Sequence, residues 1–324
     1  MRIAVYGAGA VGGHIAVRLG RAGHDVSVVA RGEHLDAIRR NGITLTATGE
    51  MLTTHPRASD RPSELGEQDL VISTLKSNAL GSLAEGVPHL LGPDTPVIFA
   101  QNGIPWWYAT GLRTDAPPPP DLSALDPGGR LAHAVSPERI VGCVITSQND
   151  RPQPGVVQHH GSSNDLSIGE VDDSQSPRIA ALRQLLVDAG FDSPSIPDIR
   201  LELWTKLLRN LSNSLLGLIM QANSRSVNEN PHITPTRHRL VEEGLAIAAA
   251  HGLAVDAARV TAGSGSAHKA SFLQDYEAGR PMEVECLVRA PLAFARAANV
   301  PTPTLDAIGG IAIGLAAQKG LYEA

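Results

Sequence analysis

The apolar positions of the first part of the chain switch between two periods. Residues 2–6 are a nearly unbroken apolar run, which predicts a short buried strand. A glycine-rich turn follows. Residues 11–22 then repeat apolar side chains at helical spacing, and Gly23 is placed to end that helix. Residues 25–30 form the next apolar strand. Strand, helix and strand in so short a stretch make a βαβ unit, the start of a parallel sheet. The alternation continues with a helix over 33–41 ending at Asn41-Gly42, a Thr-rich strand pair over 43–54, strands over 69–74 and 95–100, and a helix over 79–91 between them. Strands resume over 139–147 and 155–169, followed by a helix over 176–190 and one further strand. The pattern is that of a doubly wound α/β sheet.

Two interruptions organise the rest. Residues 112–130 hold the run Pro117 to Pro120 and the turn Asp126-Pro-Gly-Gly, and read as a surface excursion. From Ile199 onward only helical periods remain, over 200–220, 232–252, 256–275 and 282–298, with a last helix running toward 319. The change falls within Ser193-Pro-Ser-Ile-Pro-Asp. The expectation is an α/β domain over 1–196 and an all-helical domain over 197–324.

Composition narrows the function classes. Aromatic residues are only 3% of the 324, so the core must be built from aliphatic side chains. The net charge of -6, with no basic stripe, argues against a nucleic-acid partner. Cys143 and Cys286 stand far apart and no CxxC pair exists, which suggests a reduced cytoplasmic protein without a structural metal. His159 and His160 adjoin, but neighbours in a strand point apart, so they make a poor metal pair. His14 and Arg18 interrupt the N-terminal apolar run, against a secretion signal, and 307–317 is too short to cross a bilayer.

The turn between the first strand and helix is Gly7, Ala8, Gly9, Ala10, Val11 and Gly12, a GxGxxG motif in the setting that makes it specific. Gly7 allows the tight turn, Gly9 lets a pyrophosphate approach the backbone, and Gly12 lets helix and strand pack closely. The helix N-terminus offers its N–H groups to the anion. This makes the first domain a Rossmann-type dinucleotide-binding domain. An NAD enzyme usually ends the second strand with an acid for the ribose hydroxyls. Here Arg31 stands there, and a guanidinium suits a 2′-phosphate, so NADPH is the expected cofactor. Glu33, two residues on, is the one feature pointing the other way.

Ligands of such sheets bind at the carboxyl ends of strands, which directs attention to Lys76 and to Asn102 in its Asn-Gly turn. In the helical domain, residues 201–216 carry leucine on more than one face, so that helix is largely buried. Lys206, Asn210 and Ser214 follow i, i+4, i+8 spacing and share one polar stripe, which must line a cleft or find partners. The segment 271–283 is rich in acids, and Asp275 with Arg280 reads as a surface pair.

Taken in order, Gly7-x-Gly-x-x-Gly12, Leu75-Lys76, Asn102-Gly103, Glu202-Leu-Trp-x-Lys206, Asn210 and Ser271-Phe-Leu-Gln-Asp with Glu283 resemble the ketopantoate reductase (2-dehydropantoate 2-reductase) family over nearly the whole chain. The resemblance implies hydride transfer from NADPH to a 2-keto acid, with Lys206 as general acid. It implies that Asn210 and Ser271 bind substrate, Ser271 near the carboxylate, and that Glu283 accepts from the substrate hydroxyl. It places Lys76 beside the nicotinamide and Asn102 in contact with cofactor or substrate. Three places depart from the family pattern. The excursion over 105–135, with Trp106, Trp107 and the proline run, is longer than that pattern. Ser214 stands where a second Asn is common, and Glu283-Val-Glu-Cys-Leu-Val-Arg289 lacks an Asn-Gly. Changed substrate contacts beside retained cofactor and acid residues suggest a different 2-keto acid. A homodimer is a further expectation. The rival readings are another hydroxy-acid or imine-acting dehydrogenase on the same scaffold, and a dinucleotide sensor without activity.

Overall fold

Apolar runs become strands here because both of their faces are covered. Ile3, Ala4 and Val5 of β1 (Arg2–Tyr6) are wholly buried, and so is Val28 of β2 (Asp25–Val29). Strands of this kind suit a parallel sheet with helices on both sides. The computed structural model describes residues 1–47, 49–261 and 267–323. The remaining strands are β3 (Ile43–Ala47), β4 (Glu50–Thr54), β5 (Arg57–Ser59), β6 (Leu70–Ser73), β7 (Val97–Ala100), β8 (Ile140–Gln153) and β9 (Val156–Glu170). They form one sheet in the order β4-β3-β9-β8-β7-β6-β1-β2-β5. The run from β5 to β8 is parallel throughout, β8 and β9 form an antiparallel hairpin, and β3 lies parallel to β9. The strand expected after the 176–190 helix is reduced to a single bridge between Asp165 and Asp192.

Helices α1 (Ala10–Arg21), α2 (Gly32–Asn41), α3 (Leu80–Gly86), α4 (Arg130–Ala134) and α5 (Pro177–Asp188) complete this part. Gly23, at φ 88°, follows the end of α1 as expected. The helix expected over 79–91 is shorter, because Pro88 turns its last part into a 3-10 segment, Val87–Leu90. Ile15, Ala16 and Leu19 of α1 pack into one aliphatic core with Val5, Val28, Leu45 and Val157 of the sheet. α1 also buries a histidine. His14 is 1% exposed, its Nδ1 lies 2.9 Å from Asn149 Oδ1, and Arg18 Nε donates to its Nε2 at 3.3 Å. Loss of hydration, helped by the nearby His159 and Arg18, pushes its pKa down to about 3, against the Asn149 hydrogen bond.

The helical part comprises α6 (Ile199–Met220), α7 (Ser224–Glu229), α8 (Thr234–Ala250), α9 (Ala257–Thr261), α10 (Ser271–Glu277), a π-turn (Glu285–Arg289) leading into α11 (Ala290–Ala297), and α12 (Pro303–Gln318). The helix expected over 256–275 is thus two short helices, and its middle, 262–266, lies outside the described residues. The chain divides into two compact units. One is Met1–Gln101 with Asp126–Ile199, and the other is Asn102–Leu125 with Arg200–Ala324. Residues 112–125 of the excursion, expected inside the first domain, therefore pack with the helices, while 126–130 belong to the first unit. Its proline-rich stretch is largely exposed, but Ile104, Trp107 and Tyr108 before it are core residues of the helical unit. Among the described residues no helix is long and apolar enough to cross a membrane.

Candidate active site

The glycine turn is built by close approaches that no side chain would survive. Gly7 sits at φ 100°, and the N–H groups of Gly7 and Ala8 both donate to Val29 O, at 3.1 and 3.3 Å. A Cβ on Gly12 would lie 2.0 Å from Gly7 O and 2.5 Å from Thr74 Oγ1. Thr74 is there because its hydroxyl donates to Gly7 O at 2.5 Å. Gly9 is the opposite case, since a Cβ on it would meet nothing within 4 Å. That open side is where a pyrophosphate needs room. Gly9 is also the N-cap of α1, no side chain caps the helix, and its first turn holds no acid. The leading N–H groups and the positive end of the helix dipole are left for an anion. These residues fit a dinucleotide. Arg31 is exposed at the N-cap of α2, with Glu33 exposed in its first turn, and Lys76 is half-buried at the head of the turn after β6.

The helical unit gathers the other candidates. Lys206 Nζ donates to Asn102 Oδ1 at 2.7 Å. Asn210 and Ser214 continue the Lys206 stripe of α6, half-buried and buried respectively. Asn213, off that stripe, turns its Nδ2 to Arg209 O at 3.4 Å instead. Asn102 reaches Lys206 because residues 104–110 are fastened to the start of α6. Arg200, 3% exposed, donates to Tyr108 O at 3.0 Å and to Thr110 O at 2.6 Å. Its guanidinium lies 5.9 and 5.4 Å from the Trp107 and Tyr108 ring centres. Trp204 Nε1 donates to the Tyr108 hydroxyl at 2.9 Å, and both rings pack edge-on against Phe294.

The same segment is held from the side of Glu283. Gly103, at φ 75°, leaves no room for a Cβ, which would lie 2.6 Å from Cys286 O. Ile104 N–H donates to that carbonyl at 2.9 Å. Cys286 belongs to the π-turn, where each N–H reaches five residues back, as Ala290 N–H does to Glu285 O. In that register the donor for Cys286 O would come from residue 291, a proline, which has no N–H. The acceptor is thereby offered to Ile104. Glu283, 4% exposed, lies just before the turn and lends its own carbonyl to Leu287 N–H at 3.2 Å. Asn102 thus touches Lys206 directly and is joined through its next two residues to the segment that Glu283 begins. Ser271 opens α10 and is exposed. The Asp275–Arg280 pair differs from the surface pair expected. Its 2.8 Å contact is made by an acid that is 1% exposed.

Residues 3–107 match the family model described as Ketopantoate reductase PanE/ApbA, and residues 198–315 match its C-terminal counterpart. The chain belongs to the ketopantoate reductase family. It is 36% identical over 328 residues to the 2-dehydropantoate 2-reductase of Mesorhizobium japonicum, with 100% of both chains covered. It superposes on a Ralstonia solanacearum MolK2 protein assigned as a ketopantoate reductase with a TM-score of 0.89 and 34% identity, over 99% of each chain. A D-mandelate dehydrogenase solved with NADH and anilino(oxo)acetate shares the fold at a TM-score of 0.84 and 20% identity, over 99% of this chain and 100% of its own. As a family member the chain is an oxidoreductase.

Two residues that hold candidate residues in place, one in each unit, escape a reading of the sequence. Thr74 looks like the last residue of a strand, and nothing local marks it as the clamp on Gly7. Arg200 looks like the polar start of an apolar helix. Its only signal is that it is a cation at the entry to a leucine-rich stretch.

Proposed function

We propose that this family member reduces a small 2-keto acid to the 2-hydroxy acid with NADPH. The observation that supports the reading most is the 2.7 Å bond from Lys206 Nζ to Asn102 Oδ1, which aims an ammonium group from a buried helix. A cation held in advance stabilises the alkoxide of the transition state more than the neutral ketone, and can pass it a proton. The bound nicotinamide supplies the hydride. Lys206 supplies the proton to the carbonyl oxygen, Asn210 and Ser214 bind the substrate from the same stripe, Ser271 takes its carboxylate, and Glu283 accepts from its hydroxyl. On the cofactor side, Gly7 to Gly12 hold the pyrophosphate, Arg31 meets the 2′-phosphate, and Lys76 and Asn102 stand near the nicotinamide. The name of the Mesorhizobium relative puts 2-dehydropantoate first among substrates to test. Ser214 and the segment Glu283 to Arg289 favour other 2-keto acids beside it.

The deciding experiment mixes the protein with NADPH and a panel of 2-keto acids that includes 2-dehydropantoate, and follows the loss of nicotinamide absorbance. One or more members should be reduced, and Lys206→Ala should lower kcat/KM about 100- to 1000-fold. Reduction of none above the Lys206→Ala background ends the proposal. Oxidation of branched hydroxy acids without keto-acid reduction replaces it with the dehydrogenase reading. Arg31→Ala should weaken NADPH binding about tenfold while changing NADH binding little. An equal effect on the two cofactors removes the 2′-phosphate assignment. Light scattering tests the proposed homodimer.

A further inference from the structure

The third residue of α2, His34, turns inward from the exposed Arg31 and Glu33 and is 7% exposed. Its ring joins two backbone segments that are remote in sequence. Nε2 lies 2.5 Å from Ala8 O in the glycine turn, and Gly155 N–H donates to Nδ1 at 3.0 Å. A nitrogen that accepts an N–H carries no proton, so Nδ1 is bare and Nε2–H donates to Ala8 O. Burial lowers the pKa of this ring, with Arg151 adding to the fall and the Ala8 bond opposing it, which keeps the neutral tautomer in place.

The far anchor is itself fixed. Gly155 sits at φ 77° at the tip of the β8–β9 hairpin, and its carbonyl accepts from Thr44 N at 2.9 Å. A Cβ there would lie 3.3 Å from Ala37 and 3.4 Å from Gly42 O, so the tip rests on the end of α2. His34 is therefore a strut between a braced hairpin and the glycine turn. It acts beside Thr74. Thr74 holds Gly7 O and His34 holds Ala8 O, so two successive carbonyls of the turn are gripped by side chains.

A trans peptide is planar, and its C=O and the following N–H point in opposite directions. Fixing Ala8 O toward His34 therefore turns the Gly9 N–H the other way. Gly9 is the residue whose missing Cβ leaves open space. We propose that His34 is a positioning residue for the cofactor: through Ala8 it sets the direction in which the Gly9 amide meets the pyrophosphate of the dinucleotide. The inference rests on the reading that the glycine turn holds NADPH.

The test compares wild type, His34→Leu and His34→Gln. A glutamine amide can donate to Ala8 O and accept from Gly155 N–H, whereas leucine does neither. NADPH is titrated by its fluorescence, KM for NADPH and kcat are measured with a reducible keto acid, and each protein is melted to check that it folds. His34→Leu should weaken NADPH binding about tenfold and raise its KM alike, with kcat at saturating NADPH moving much less, and His34→Gln should restore most of the affinity. Equal binding by wild type and a folded His34→Leu overturns the proposal, as does a folded His34→Gln no better than leucine. Should the leucine variant not fold, nitrogen NMR of the wild-type imidazole decides. A ring protonated on Nε2 whose resonances shift on adding NADPH supports the proposal, and the other tautomer or an unmoved ring overturns it. Wild-type protein with no affinity for NADPH defeats the cofactor reading, and this proposal with it, and that result is recognisable before any variant is made.

Discussion

Asn149 Oδ1 receives two imidazoles, His14 at 2.9 Å and His159 at 3.1 Å, with the rings 4.7 Å apart. A cationic His14 would lose its hydration and face Arg18, so the folded protein holds this ring neutral down to about pH 3. In the unfolded chain an ordinary histidine takes up its proton near pH 6.5. Between those values the unfolded state binds the extra proton, so stability is full above pH 6.5 and drains as the pH falls through the window. The loss should approach about 1.4 kcal/mol per pH unit for this one group. Urea midpoints measured from pH 7 down to pH 5 should fall more steeply for wild type than for His14→Gln. Parallel slopes would show that His14 does not carry the dependence.

The glycines of the turn before α1 are not equivalent. Gly12→Ala drives a Cβ into Gly7 O and Thr74 and should destabilise the fold by about 2 kcal/mol or more. Gly9→Ala meets no protein atom, and its φ of -67° suits alanine, so melting should be unchanged within about 0.5 kcal/mol. On the proposed cofactor reading the added methyl stands in the path of the pyrophosphate, so NADPH binding should weaken at least tenfold. Melting and titration of the two variants separate these outcomes, and a cold-sensitive or unstable Gly9→Ala would contradict the assignment. On α6 the comparable test is Arg200→Met. It removes the Arg200 hydrogen bonds to the buried Tyr108 O and the half-buried Thr110 O, and should cost about 2–4 kcal/mol in denaturant unfolding. It should also lower kcat/KM about tenfold, since Asn102 loses the support that brings it to Lys206. Unaltered turnover in a destabilised protein would separate the clamp from the site.

Across the whole molecule, what could be read from the sequence was whatever is local. β1, α1 and β2 follow from apolar spacing and a glycine turn, and Lys206, Asn210 and Ser214 follow from the helical period alone. What could not be read depends on partners far along the chain. β3 lies beside β9 rather than beside β2, because the β8–β9 hairpin reaches across to it, and no short pattern encodes that pairing. The three-residue β5 is too brief to show a period. The proline run advertises an exposed loop and hides the fact that Trp107 and Tyr108, just ahead of it, are core. The approach of Asn102 to Lys206 spans 104 positions and depends on Arg200, Gly103 and Cys286 together. The π-turn makes this arrangement a matter of chain length. Deleting one residue from 287–289 would keep every candidate side chain and would let the helix close in its ordinary register. Pro291 would then stand four positions after Cys286, with its ring pressed against the carbonyl that Ile104 uses. This stretch should accept exchanges of one apolar residue for another yet resist any shortening.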